Sequence, residues 1–221
     1  MSDLTLIIGN KNYSSWSFRP WIMMRHAGIP FSESLVVLYS DDFKGQVRGH
    51  TGAGRVPGQV PVLLDGDDPV WGSLAILEYL AEKFPDRGLW PADMMQRAKA
   101  RSGAGEMHSG FSALRNALPM HMRLEPKTIP LSDEVLADAA RIEALWADCL
   151  VGKRDGDPFL FGAFGNIDAM FAPIVNRFHV YKVPVSSTSR TYMDAVMALP
   201  AWQEWDAAAR KEPWEYDLYI R

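Results

Sequence analysis

A small mixed α/β unit followed by an all-helical one is the fold class this sequence predicts, on three observations. Strand-type apolar runs are confined to the first 85 residues. Beyond Pro91 the apolar residues recur at threes and fours, the period of a helix. Between the two lies Phe84-Pro85-Asp86-Arg87-Gly88-Leu89-Trp90-Pro91, whose prolines and glycine read as a linker. The expected units are therefore residues 1–84 and 91–221.

In the first unit, Leu4 to Ile8 is a short apolar run ending at Gly9, and Leu35 to Leu38 is a second. Arg19 to Ala27 between them reads as a helix stopped by Gly28-Ile29-Pro30. Val60 to Leu64 is a third strand, closed by the turn pair Asp65-Gly66 and returned by Pro69-Val70-Trp71 as a hairpin. Leu74, Ile76, Leu77, Tyr79, Leu80 and Phe84 then form a helical stripe. The order β-α-β, hairpin, α makes a small sheet backed by helices. In the second unit, Asp93 to Leu118 reads as one long helix and Ser132 to Leu150 as the next. Asn166 to Phe178, Thr191 to Met197 and Trp202 to Ala209 follow.

Composition narrows the function. The 221 residues carry a net charge of −4, which argues against a partner held by phosphate neutralisation, so no nucleic acid is expected. The single Cys149 leaves no disulfide framework, CxxC pair or cysteine-rich zinc module. Histidines 26, 50, 108, 121 and 179 lack metal-ligand spacing, so no metal is expected. No apolar run reaches the roughly 18 residues of a membrane helix, and Met1-Ser2-Asp3-Leu4 lacks the basic start of a signal peptide. The expectation is a cytoplasmic globular protein. Gly52-Ala53-Gly54-Arg55-Val56-Pro57-Gly58 imitates a phosphate loop, but it follows no buried strand and has Pro57 where a glycine belongs. It reads as a surface loop.

Three features of the first unit converge. Asn10 to Trp21 joins the first strand to the first helix and places Ser14, Ser15 and Ser17 near a helix N-terminus, where free amides and the dipole favour an anion or a simple serine cap. Pro61 opens the third strand, an uncommon place unless the strand begins there or the Val60–Pro61 bond is cis, which would turn the Val60 backbone outward to a peptide-like ligand. Ser73 opens the helix after the hairpin, a second anion-favouring N-terminus.

Ser14-Ser15-Trp16-Ser17-Phe18-Arg19, Val60-Pro61 and Ser73-Leu74-Ala75-Ile76-Leu77-Glu78-Tyr79-Leu80 resemble the glutathione transferase superfamily. The first segment is similar to the Ser-Ser-Cys-x-x-Arg motif of the zeta class, the maleylacetoacetate isomerase type, with Trp16 in place of the cysteine. Asp168-Ala169-Met170-Phe171-Ala172-Pro173 resembles the superfamily's sixth-helix capping motif, so the likeness spans nearly the whole chain.

The resemblance implies a thioredoxin-like N-terminal domain, an all-helical C-terminal domain, glutathione as co-substrate, a small electrophile as second substrate, and a homodimer. It implies that Ser14 holds the glutathione sulfur as thiolate, with Ser15 and Trp16 lining the same pocket. Gln59, Val60 and Pro61 would meet the cysteinyl part, and Gly72 and Ser73 the γ-glutamyl end. Met107, His108, Phe111 and Arg115 on the long helix would face the second substrate, unless the apolar ones pack in the core and Arg115 lies in solvent. Arg177, in Arg177-Phe178-His179-Val180, resembles the zeta-class arginine that receives a substrate carboxylate. The serine-to-Arg19 spacing selects Ser14 at the sulfur. Pro20, suited to the first turn of a helix, suggests a start as late as Ser17 and keeps Ser15 as a rival.

Two positions depart from the pattern. Gly165 replaces a Ser or Thr helix cap, which costs a few tenths of a kcal/mol. Gly72 replaces an acidic or amide residue that holds the γ-glutamyl amine, removing a bond of roughly 1.5–3 kcal/mol. Gly72 thus favours an alternative in which the fold is catalytically silent and serves as a binding or scaffolding partner. The run Ser102-Gly103-Ala104-Gly105 would admit another helix, here a partner subunit's.

Overall fold

A computed structural model describes residues 4–52, 56–150 and 157–216. The N-terminal half contains β1 (Leu4–Ile8), α1 (Ser15–His26), β2 (Ser32–Leu35), α2 (Phe43–Thr51), β3 (Val62–Asp65), β4 (Asp68–Trp71) and α3 (Ser73–Lys83). The sheet order is β2-β1-β3-β4, with β1 parallel to β2 and antiparallel to β3. The tight β3–β4 hairpin pairs Asp65 with Asp68 around Gly66, as the turn pair predicts. This is a thioredoxin-like domain, followed by helices α4 (Met94–Ser109), α5 (Ser112–Ala117), α6 (Asp133–Leu150), α7 (Asn166–Val180), α8 (Ser187–Met197) and α9 (Pro200–Ala209).

Strand alternation divides the core. Leu4, Leu6 and Ile8 face α1 and α3 and join a cluster that runs without interruption into the helical domain. Ile7 faces the other way, onto Val36, Val47, Val56 and Val62. Aromatic stacking welds the halves: Phe18 and Trp21 of α1 each lie 4.9 Å, ring centre to ring centre, from Trp205 of α9. Arg19 Nε donates to the Met170 carbonyl of α7 at 2.9 Å, and Asn166 Nδ2 donates to the Leu77 carbonyl.

Four sequence expectations are corrected. Helix α1 begins at Ser15, not Ser17, so Pro20 lies inside it rather than in its first turn. The second strand ends at Leu35, though the Val36 amide still bonds the Ile8 carbonyl. Helix α2, too short of apolar residues to show a period, precedes the glycine-rich stretch, of which residues 53–55 lie outside the described residues. The single helix expected from Asp93 to Leu118 is broken at Phe111, whose φ of 58° is left-handed.

The small residues of α4 also serve the chain itself. A Cβ on Gly103 would stand 3.0 Å from Ile167 and 3.2 Å from Leu145, so this glycine lets α6 and α7 approach. At the end of α1, Gly28 with φ 64° sends its amide to the Arg25 carbonyl, and Ile29 bonds Met24, a left-handed stop.

Candidate active site

A cleft of about 650 Å³ opens where β1 meets α1 and where the β3–β4 hairpin meets α3. Its lining includes Ser14, Ser15 and Trp16 from the β1–α1 turn, Gln59, Val60 and Pro61 before β3, Gly72 and Ser73 at the head of α3, and His108 of α4. The Val60–Pro61 bond is cis.

Ser14 is the N-cap of α1: its carbonyl accepts from the Phe18 amide at 3.1 Å, and its own amide bonds the Asn10 carbonyl. Its hydroxyl makes no cap bond. Instead its Oγ lies 2.7 Å from Ser17 Oγ, which accepts from the Gly9 amide at 3.1 Å. Ser15 stands at the first helical position, partly exposed in the cleft. Ser73 is 1% exposed, and its hydroxyl has no hydrogen-bond partner in the described structure. Buried hydroxyls are seldom left so, and this one borders a cleft at a helix N-terminus.

Trp16 organises the inner end of the cleft. The Arg19 guanidinium lies 4.0 Å from its ring centre and that of Arg115 4.6 Å away, while the His108 ring approaches its edge at 5.2 Å. Arg19 is wholly buried, and its two terminal nitrogens find no partner among the described residues. Arg115 donates to the main-chain carbonyls of His108 and Gly110. Burial, then the Arg177 and Arg115 charges, lower the Arg19 pKa. Burial, then Arg19 and Arg115, lower that of His108, whose imidazole is therefore neutral at neutral pH.

The chain matches the family model for the glutathione S-transferase N-terminal domain over residues 13–83. It is 30% identical to glutathione S-transferase Z2 of Arabidopsis thaliana over 165 residues, 71% of this chain and 70% of that one. The chain belongs to the glutathione transferase family. A protein named probable maleylacetoacetate isomerase from Caenorhabditis elegans is 29% identical over 181 residues, 80% of this chain and 82% of its own. A solved glutathione transferase homologue from Burkholderia, with bound glutathione, superposes with a TM-score of 0.71 at 22% identity, covering 95% of this chain and all of that one. At that identity the likeness is one of fold.

The transferase fold brings together most, not all, of the residues singled out in the sequence. Met107 and Phe111 are buried in the hydrophobic core and do not line the cleft; Met107 packs inward from α4, and the left-handed break at Phe111 ends the stripe expected of one long helix. Arg115 does not line the cleft either; it lies against the Trp16 ring that does. Arg177 is buried, with Nε donating to the Leu118 carbonyl at 2.7 Å; it does not line the cleft, and its charge bears on Arg19. Gly72 has φ 85°, and open space surrounds the position its Cβ would take. Gly165 has a different reason: the Leu89 carbonyl would lie 3.1 Å from a Cβ there, and it accepts from the Asn166 amide. Asp168, buried, accepts from the amides of Leu160 and Gly165 and so caps α7; burial pushes its carboxyl up to about 6.

Tyr13, Leu38, Tyr39, Phe43 and Trp71 complete the lining and were not singled out in the sequence. Behind Tyr13 and Tyr39 runs a segment from the far end of the chain. Glu212 accepts from the Lys11 and Asn12 amides, and Arg123 donates to the carbonyls of Glu212 and Trp214. Tyr216 donates to the Leu38 carbonyl and packs its ring 5.1 Å from Tyr13 and 5.0 Å from Tyr39. Cys149 does not stand in for the cysteine missing at Trp16: it is buried in α6, its thiol pushed up to about 12. Among the described residues no cluster of His, Cys, Asp or Glu suits a metal ion, and no helix is long and apolar enough to cross a membrane.

Proposed function

We propose that this cleft binds glutathione and holds its sulfur as thiolate beside Ser14, for attack on a small carboxylate-bearing electrophile. The observation that carries the reading is the partnerless buried hydroxyl of Ser73, in the same cleft as the cap residue Ser14. A γ-glutamyl carboxylate at the head of α3 would accept from Ser73 and from the amides of the first turn. Free thiols titrate near 8.5. A hydroxyl donor and the positive end of α1 bring that value toward neutral, with Ser14 donating to the sulfur rather than acting as nucleophile or base.

The sulfur electron pair forms a bond to a conjugated carbon, and the displaced pair moves onto the carbonyl oxygen as an enolate. Protonation gives a conjugate; rotation about the new single bond and expulsion of the thiolate give a double-bond isomer with glutathione unchanged. The Trp16 end of the cleft suits an anionic substrate: Arg19 and Arg115 both lie against the Trp16 ring, and among the described residues their hydrogen bonds run to main-chain carbonyls. Neutral His108 can donate to a developing enolate there.

The silent-scaffold alternative is favoured by Gly72, which offers the γ-glutamyl amine no side chain. Retention on immobilised glutathione and thiolate absorbance of the complex across pH separate the two. Retention lost in Ser73→Ala, with a bound thiol titrating well below 8.5, supports the enzyme; a bound thiol titrating as in free solution supports the scaffold. A homodimer belongs to the same proposal. Met94 and Met95, at the head of α4, are 72% and 60% exposed, apolar surface of the kind a second copy covers. A monomeric mass at micromolar concentration would refute it.

A further inference from the structure

Between β1 and α1 runs a chain of hydrogen bonds whose direction is fixed at one end. The Gly9 amide can only donate, so Ser17 Oγ, 3.1 Å away, accepts from it. Ser17 is fully buried, and the one other partner of its hydroxyl among the described residues is Ser14 Oγ, at 2.7 Å. That contact holds a single hydrogen, which either serine can give. When Ser17 gives it, the Ser14 proton is released toward the cleft.

We infer that Ser17 is a positioning residue for the thiolate: with an anionic sulfur in the cleft, Gly9 donates to Ser17, Ser17 to Ser14, and Ser14 to the sulfur. The inference rests on the assignment of Ser14 proposed above. Its physical basis is polarisation. A hydroxyl that accepts a hydrogen bond becomes a better donor, by roughly 10–30% per bond in a chain. Ser14 aligned this way is a stronger acid toward sulfur than a lone serine would be. The geometry also explains why three serines crowd one turn and only two serve the sulfur: Ser15, a residue further along, lies outside the chain of bonds. Gly9 contributes by its close approach, since a Cβ there would stand 3.1 Å from Ser14 Oγ and 2.7 Å from Leu38.

The test measures the pKa of bound glutathione by thiolate absorbance in the full chain and in Ser14→Ala, Ser17→Ala and the double variant. The charges gathered at Trp16, those of Arg19 from α1 and Arg115 from α5, are present in all four. Ser14→Ala should raise the pKa by roughly 1 to 2 units. Ser17→Ala should raise it by a few tenths of a unit, with the glutathione dissociation constant within about twofold of the parent. The double variant should match Ser14→Ala alone, because Ser17 acts only through Ser14. Ser17→Cys, of similar volume but a weak donor, should fall between serine and alanine, and it guards against a merely structural effect of the smaller side chain. No rise in Ser17→Ala overturns the inference, as does an equal rise with and without Ser14. No rise in Ser14→Ala overturns instead the assignment of Ser14 to the sulfur.

Discussion

The Arg19 guanidinium stacks 4.0 Å above the Trp16 ring and finds no acid: its Nε bonds a carbonyl and its terminal nitrogens bond nothing among the described residues. A charge buried that way opposes folding. Replacing such a group by an apolar one of similar length is often stabilising. Arg19→Met should therefore raise the thermal midpoint by about 2–4 °C, corresponding to about 1 kcal/mol in a chain of this size. Turnover of an anionic electrophile should fall at the same time. A drop in both would show that Arg19 is needed for packing rather than for charge.

His108 offers a second measurement. Its pKa lies below the ordinary 6.5 through burial and two neighbouring arginines, so the ring should titrate below that value by NMR. An anion bound beside Trp16 stabilises the charged imidazole and should move the titration upward. A neutral ligand of the same size should not.

Gly72 separates affinity from stability. Any side chain there must adopt φ near 85°, which costs about 1–3 kcal/mol of folding stability. That strain is the same with and without ligand, and the space around its Cβ is open. Gly72→Glu should therefore lower the thermal midpoint while tightening glutathione binding about tenfold or more, the size of one charge-assisted bond. Calorimetry reads both.

Asp168 makes stability depend on pH. Burial raises its carboxyl from 3.8 to about 6, so between those values the folded chain holds more protons than the unfolded one. Its contribution is complete below about 4, declines as pH rises through 6, and is level above. Asp168→Asn should flatten that decline. The variant should also lose about 1–3 kcal/mol overall, because one of the Leu160 and Gly165 amides is left without an acceptor.

Local chemistry was legible in the sequence wherever one residue type has few uses. Asp65-Gly66 marked the hairpin, Ser73 the head of α3, and Gly28 the end of α1. Helix α2 was invisible because it buries only Val47 and Thr51. The break at Phe111 was hidden because an aromatic in a helical period signals continuity, and a left-handed φ is uncommon for a bulky residue. Arg19 shows the same limit. Nothing in Ser17-Phe18-Arg19-Pro20 distinguishes a buried guanidinium from a solvated one; its burial follows from α7 lying across α1. The bonds from Lys11 and Asn12 to Glu212 join residues about two hundred positions apart and left no local trace.

Those last bonds set an order of assembly. The turn that carries Ser14 is pinned by Glu212, and the Tyr13–Tyr39 wall of the cleft is backed by Tyr216. A ribosome releases the sheet and its serines about two hundred residues before this buttress. Until residues 212–216 have emerged the nascent thioredoxin-like half lacks this support, and the wall of the cleft is completed only when they dock against it. The shape of the cleft is thus settled by residues made long after the strands and serines that line it.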